Sequence, residues 1–274
     1  MRQCLKIFST LLFLLLLVST RSFSQLCQGS LGDPVVNITF GSGSNPGPRL
    51  DNTNYTYVAT DCPNDGYYTV ENSTYNCFSD TWHNVPEDHT PGDTDGYMMV
   101  VNASYNPGIF FQKTVEGLCP NTTYQFAAWI YNVLESYACN GQGIKPNLTF
   151  NIETTDGTLL NSYQTGDIPE NYGWVQYGLF FTTKPGESAV VLKMVNNAPG
   201  GCGNDLLLDD ITFRACGPLV SATIDLVGDS ANVCAGDNSV FTLKANVSAG
   251  YNDPVYQWQV STDNGASWKD INGA

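Results

Sequence analysis

The chain has 274 residues, 42% of them apolar and only 14% charged, with 11 Lys and Arg against 26 Asp and Glu. That length holds one large β domain and part of another, and the acidic balance argues against nucleic acid as a partner. Nine cysteines and two histidines without a C-x-x-C pair disfavour a zinc centre.

The first element in chain order is an export signal. "MRQCLKIFSTLLFLLLLVSTRSFSQ" carries basic Arg2 and Lys6, an apolar core from Leu11 to Val18 and small residues at Ser22 and Ser24. This pattern predicts a secretory signal peptide over 1–24, cleaved after Ser24. Its apolar core is too short for a membrane span, so no membrane insertion is expected once it is removed. Three basic residues leave with it, and the mature chain carries 8 basic against 26 acidic side chains, net −18. Loss of Cys4 leaves eight cysteines in a secreted or cell-surface chain, where disulfides are expected.

From Val35 to Phe213 the apolar signal is a series of short runs rich in β-branched and aromatic residues: "VVNITF", "YMMVVNAS", "GIFFQKTV", "TTYQFAAWIYNV", "NLTFNIET", "WVQYGLFFTT", "AVVLKMVNN" and "DLLLDDITF". Gly, Pro, Asn and Asp separate them. In "TYQFAAWIYNV", Tyr124, Phe126, Ala128 and Ile130 alternate with Gln125, Ala127, Trp129 and Tyr131, a period of two with both faces largely apolar. Trp129 is expected in the core. Strands at this spacing predict an all-β jelly-roll β-sandwich over 25–218.

"ACGPLVSAT" breaks the rhythm, and a boundary is expected at Gly217 to Pro218. Beyond it, "VCAGDNSVFTLKANVSAGYNDPVYQWQVSTDNGASWKDI" reads as three more strands with a "DNG" turn. Cys234 and Trp258 are arranged there as in an immunoglobulin-like domain, whose Trp packs on the inter-sheet disulfide. Residues 219–274 would then be a truncated immunoglobulin-like β-sandwich, since no strand F follows to supply the partner of Cys234. The chain is accordingly expected to be part of a longer protein.

Among the seven upstream cysteines, Cys62 with Cys77 would close a local loop and Cys139 with Cys202 would tie two long connections. Cys27, Cys119 and Cys216 then compete for one bridge, because the first and last strands of a jelly roll lie close together.

Asp209 and Asp210 interrupt the apolar run "GNDLLLDDITF". Burying an unpaired carboxylate costs several kcal/mol, roughly, unless donors or a cation compensate it. On a regular strand the two would face opposite sides. One reading has backbone N–H groups satisfying one carboxylate while water solvates the other. A second has both at a structural calcium ion, which suits hard oxygen ligands. Upstream, "DHTPGDTDGY" holds three Asp in a Gly/Pro-containing loop but lacks EF-hand spacing; it reads as a solvated or hydrogen-bonded turn, with a loop calcium site as the alternative. Aromatic rings in or beside loops, Trp82, Tyr131, Tyr137, Tyr163, Tyr172 and Trp174, are candidates for stacking on sugar rings. No G-x-S-x-G or H-E-x-x-H occurs, and no pair of carboxylates stands out for glycoside hydrolysis, so catalysis is not expected.

"LLLDDITFRACGP" together with "DHTPGDTDGYMMVVNAS" resembles the MAM domains of cell-surface receptors and the carbohydrate-binding jelly rolls of extracellular glycosidases. That resemblance implies calcium at an Asp of the terminal pair. "GLCPNTTYQFAAWI", "NNAPGGCGNDLLLDDITF" and "YQWQVSTDNGASWKDI" are similar to the N-terminal region of large Bacteroidetes surface proteins of the gliding-motility-associated type, which carry immunoglobulin-like repeats. Both resemblances imply a non-catalytic binding or adhesion module, calcium-stabilised, whose ligand is a glycan or another cell surface. A structural spacer and an accessory module of a secreted hydrolase are the alternatives.

Overall fold

A computed structural model describes residues 26–170, 173–225, 227–234, 236–247 and 255–272. The predicted signal peptide and Tyr172 lie outside them. The first eleven strands are β1 (Leu31–Ile38), β2 (Thr56–Tyr57), β3 (Tyr67–Glu71), β4 (Met98–Asn102), β5 (Ile109–Glu116), β6 (Thr123–Asn132), β7 (Asn147–Glu153), β8 (Leu159–Asp167), β9 (Val175–Thr182), β10 (Ala189–Asn196) and β11 (Leu206–Cys216). They form two sheets. The larger runs β2-β3-β4-β11-β6-β9, with β1 also paired to β11, and the smaller runs β5-β10-β7-β8.

The sheets meet face to face because their strands alternate in the register that the sequence announces. Tyr124, Phe126, Ala128 and Ile130 of β6 join Leu148, Phe150 and Ile152 of β7 and Val190, Leu192 and Met194 of β10 in one buried core. Phe126 touches Phe111 and Phe150 of the opposite sheet at ring separations of 6.3 and 5.4 Å. Each such side chain contributes about 1.5–3 kcal/mol by leaving water. Trp129 departs from expectation: it belongs to the other set of β6 and lies half-buried on the outer face of the large sheet.

That outer face carries a second, smaller core. Met98 and Val100 of β4 and Leu207 of β11 are covered by Cys77, Trp82 and Val85 from the long β3–β4 connection. Large-sheet strands are therefore apolar on both sides only where this connection lies over them.

β11 is the central strand. Its first part pairs with β4 and its second part with β1, while β6 runs along the other side. First and last strands are thus neighbours, and Cys27–Cys216 clasps them. Cys62–Cys77 and Cys139–Cys202 are also bonded. Cys119, a competitor for the third bridge, is instead free and exposed in the connection between β5 and β6. The pairing of β1 along β11 brings Cys27, not Cys119, to the end of the last strand.

Beyond Pro218 the described residues form two separate ladders, β12 (Val220–Ile224) with β13 (Leu243–Val247), and β14 (Gln259–Val260) with β15 (Lys269–Asp270). The predicted "DNG" turn joins the last two. None of the described residues in this part is buried, so they contain no sandwich core of their own.

Candidate functional site

The apolar pattern of β11 changes parity at the two aspartates. Leu206 and Leu208 face the core before them, Ile211 and Phe213 after them. An odd–even switch along a strand requires one extra residue, and the pairing shows it: Asp209 opposes Trp129 and Thr212 opposes Ala127, three residues against two. Asp210 occupies the bulge with φ 45°, a left-handed conformation that Asp tolerates better than most residues.

The bulge removes the expected opposition of the two carboxylates, and both reach the same segment of the β3–β4 connection. Asp209 Oδ2 accepts the His89 N–H at 2.8 Å, and its Oδ1 accepts the Asp210 N–H at 2.7 Å. Asp210 Oδ2 lies 2.7 Å from His89 Nδ1, and its Oδ1 accepts the Thr90 hydroxyl at 2.8 Å. Every oxygen of the pair thus has a protein partner. Burial nevertheless pushes Asp209 up to about 8, against the pull of its two N–H donors, with Asp210 and Asp88 adding repulsion. Groups of the chain itself thus meet all four oxygens of the pair at which calcium was expected. Among the described residues no three His, Cys, Asp or Glu side chains gather as a metal-binding group.

Held in this way, His89 lies flat on Trp129, ring centroids 3.8 Å apart and planes 19° apart. Trp129 and Tyr131 project from the same face of β6, and Trp174 precedes β9 at the level of Tyr131. The Trp174 ring stands edge-on to both His89 and Tyr131, at 5.8 and 5.7 Å. A second histidine completes the group. Residues 81–83 run beside the end of β6, with His83 N–H on Val133 O and Glu135 N–H on Thr81 O. This sets His83 edge-on to Tyr131 at 5.7 Å and its Nδ1 2.8 Å from Glu135 Oε1. Gln176 lies opposite Trp129 on β9. Trp129, Tyr131, Trp174, Gln176, His83 and His89 are all half-buried, so the patch is packed from beneath and open above.

Of the sequence-predicted aromatics, the structure brings together Tyr131 and Trp174. Trp82 is elsewhere: it belongs to the β3–β4 connection, is buried against Met98, Val100 and Leu207, and donates its indole N–H to Asp205 at 3.2 Å. Tyr163 is buried against Phe150 in the main core. Tyr137 is exposed at a separate loop tip, its hydroxyl on Asp80 O. Trp129 and both histidines are the members that sequence reasoning missed; the signal for Trp129 was its place two residues before Tyr131 on one strand face.

No family model matches the chain, and neither does any curated protein. Solved structures with partial likeness include the enzymatically active domain of tailspike protein 4 of bacteriophage CBA120, at 13% identity over 64% of this chain and 21% of that one, TM-score 0.39. A cyclase from Fischerella sp. TAU is similar at 15% identity over 73% of this chain and 90% of that one, TM-score 0.40. The CBM22-1–GH10 modules of Clostridium thermocellum endo-1,4-β-D-xylanase 10B, complexed with xylohexaose, match at 15% identity over 68% and 29%, TM-score 0.34. The chain thus spans about a fifth of the tailspike domain and under a third of the xylanase modules. At scores this low they assign neither ligand nor reaction to it.

Proposed function

We propose that the protein is a non-catalytic, extracellular binding module that takes glycans on the outer face of its large sheet. One observation carries the reading: Trp129, Tyr131 and Trp174 form a half-buried aromatic patch joined through the His89 ring that lies on Trp129, with the amide of Gln176 opposite Trp129. Aromatic faces take the apolar faces of sugar rings, and a few placed polar groups fix hydroxyl orientation. His89 and His83 each present a ring already fixed by a carboxylate, at Asp210 and Glu135. A patch ordered before binding loses little side-chain entropy on taking a ligand. Three disulfides fit an oxidising, extracellular setting.

The test is a glycan array probed with wild type and with Trp174→Ala. Trp174 packs at the margin of the patch, so its loss should abolish array signal while the circular dichroism spectrum stays the same. Retained signal with an intact fold would refute the assignment.

A further inference from the structure

The two histidines beside the patch differ at the ring nitrogen that their carboxylates leave over. Nε2 of His83 is buried without a partner, whereas Nε2 of His89 reaches solvent and bonds to no described residue. At His89 the tautomer follows from the partner. A carboxylate offers only acceptors, so Nδ1, 2.7 Å from Asp210 Oδ2, carries the proton. In the neutral ring Nε2 then holds the lone pair, and it accepts but does not donate. Two contacts keep the ring from turning over: its plane lies on Trp129 at 3.8 Å, and the N–H of the same residue is bound to Asp209 at 2.8 Å.

The surroundings add no free cation. Among the strands of the large sheet only β11 carries a basic residue, Arg214. It stands opposite Gln125, four residues before Trp129 on β6 and so about 13 Å away along the strand, and its Nε donates to Gly32 O. The β3–β4 connection that delivers His89 contains no Lys or Arg but five acids, Asp80, Glu87, Asp88, Asp93 and Asp95. Lys145, in the connection after β6, is paired with Glu170 at 3.1 Å. An anionic group brought to His89 would meet a lone pair and like charge, with no unpaired cation to offset them.

We propose that His89 Nε2 is the specificity-determining acceptor of the patch: it takes the proton of a sugar hydroxyl and turns away a carboxylate or sulfate at that place. This rests on the glycan reading above and adds the chemistry by which the patch chooses. Asp210 acts through His89 as a positioning residue, since its bond to Nδ1 is what leaves Nε2 as the acceptor.

Nitrogen NMR of the 15N-histidine-labelled protein at pH 8 tests it. The chain has two histidines, so one variant, His83→Asn, assigns the ring signals of the free protein. The probes are cellohexaose, xylohexaose and mannohexaose as neutral chains, with hexagalacturonate and a heparin hexasaccharide as anionic ones. In the free protein His89 should show a protonated Nδ1 and an unprotonated Nε2. A saturating neutral chain should move the Nε2 signal toward the protonated range while Nδ1 stays in place, and the anionic chains should give no measurable binding by isothermal titration. A protonated Nε2 in the free protein, an Nε2 signal unmoved by a bound chain, or anionic chains bound as tightly as neutral ones would overturn this assignment while leaving the glycan reading standing. No binding by any of the five probes would overturn both.

Discussion

Replacing Asp209 by asparagine should flatten the pH dependence of stability. In the folded protein burial lifts this carboxyl from its ordinary value of 3.8 to about 8. The folded state therefore holds a proton that the unfolded chain has released between those two values. Stability from this group is fully present below about pH 4 and is lost as pH rises through about 8. At about 1.4 kcal/mol for each tenfold change in proton affinity, the loss is about 6 kcal/mol at most. That is a large part of the roughly 5–15 kcal/mol by which domains are stable. The amide introduced by Asp209→Asn cannot titrate, but it can accept only one of the two N–H groups that meet Asp209, those of His89 and Asp210. Leaving the other unpaired should cost about 1–3 kcal/mol at every pH. Urea unfolding at pH 5 and pH 8 in the presence of chelator, followed by tryptophan fluorescence, gives both quantities. Wild type should be several kcal/mol weaker at the higher pH and the variant much less so. Some slope should persist in the variant, because burial also raises Asp205 and Glu71. Equal wild-type stability at the two values, or parallel curves for the two proteins, would refute the reasoning.

Further outcomes follow from the packing. Removing Cys27–Cys216, whose ends are 189 residues apart, should cost about 5 kcal/mol of chain entropy, against about 3 kcal/mol for Cys62–Cys77 with a separation of 15; denaturant unfolding of the two double Cys→Ala variants gives the order. Phe126→Ala, at a fully buried position between the sheets, should lose about 3–5 kcal/mol in the same assay. Trp82→Phe keeps the ring packing but takes the indole N–H from buried Asp205, and should lower stability by about 1–3 kcal/mol.

Much of the sandwich was legible because period-two alternation of apolar residues is a direct record of which face is buried. β6 illustrates this: its two sets of residues separate in the structure as they do in the sequence, although the set containing Trp129 proved to be the outer one. β3 and β8 were missed for different reasons. Tyr67–Glu71 places buried Thr69 and Glu71 on its outer face, and Leu159–Asp167 is an edge strand with mostly polar residues. Neither reads as an apolar run. The bulge at Asp210 was present in the sequence as the change from Leu206 and Leu208 to Ile211 and Phe213, a parity shift that an unbroken strand cannot make. What no local pattern carries is the meeting of the β3–β4 connection with β6 and β11. His89 is 120 residues from Asp209, and neither residue type in isolation marks the partnership.

The proposed glycan binding rests on the patch that this meeting creates. Its central claim can be tested through the indole N–H resonances, because Trp82 and the patch tryptophans differ in surroundings. The isotope-labelled protein is titrated with the oligosaccharide that gives the strongest array signal, and indole resonances are assigned from single Trp→Phe variants. If the patch is the binding face, the Trp129 and Trp174 resonances move together and saturate, while Trp82, whose N–H is committed to Asp205, stays in place. Stationary Trp129 and Trp174 signals under saturating ligand would contradict the assignment of this face.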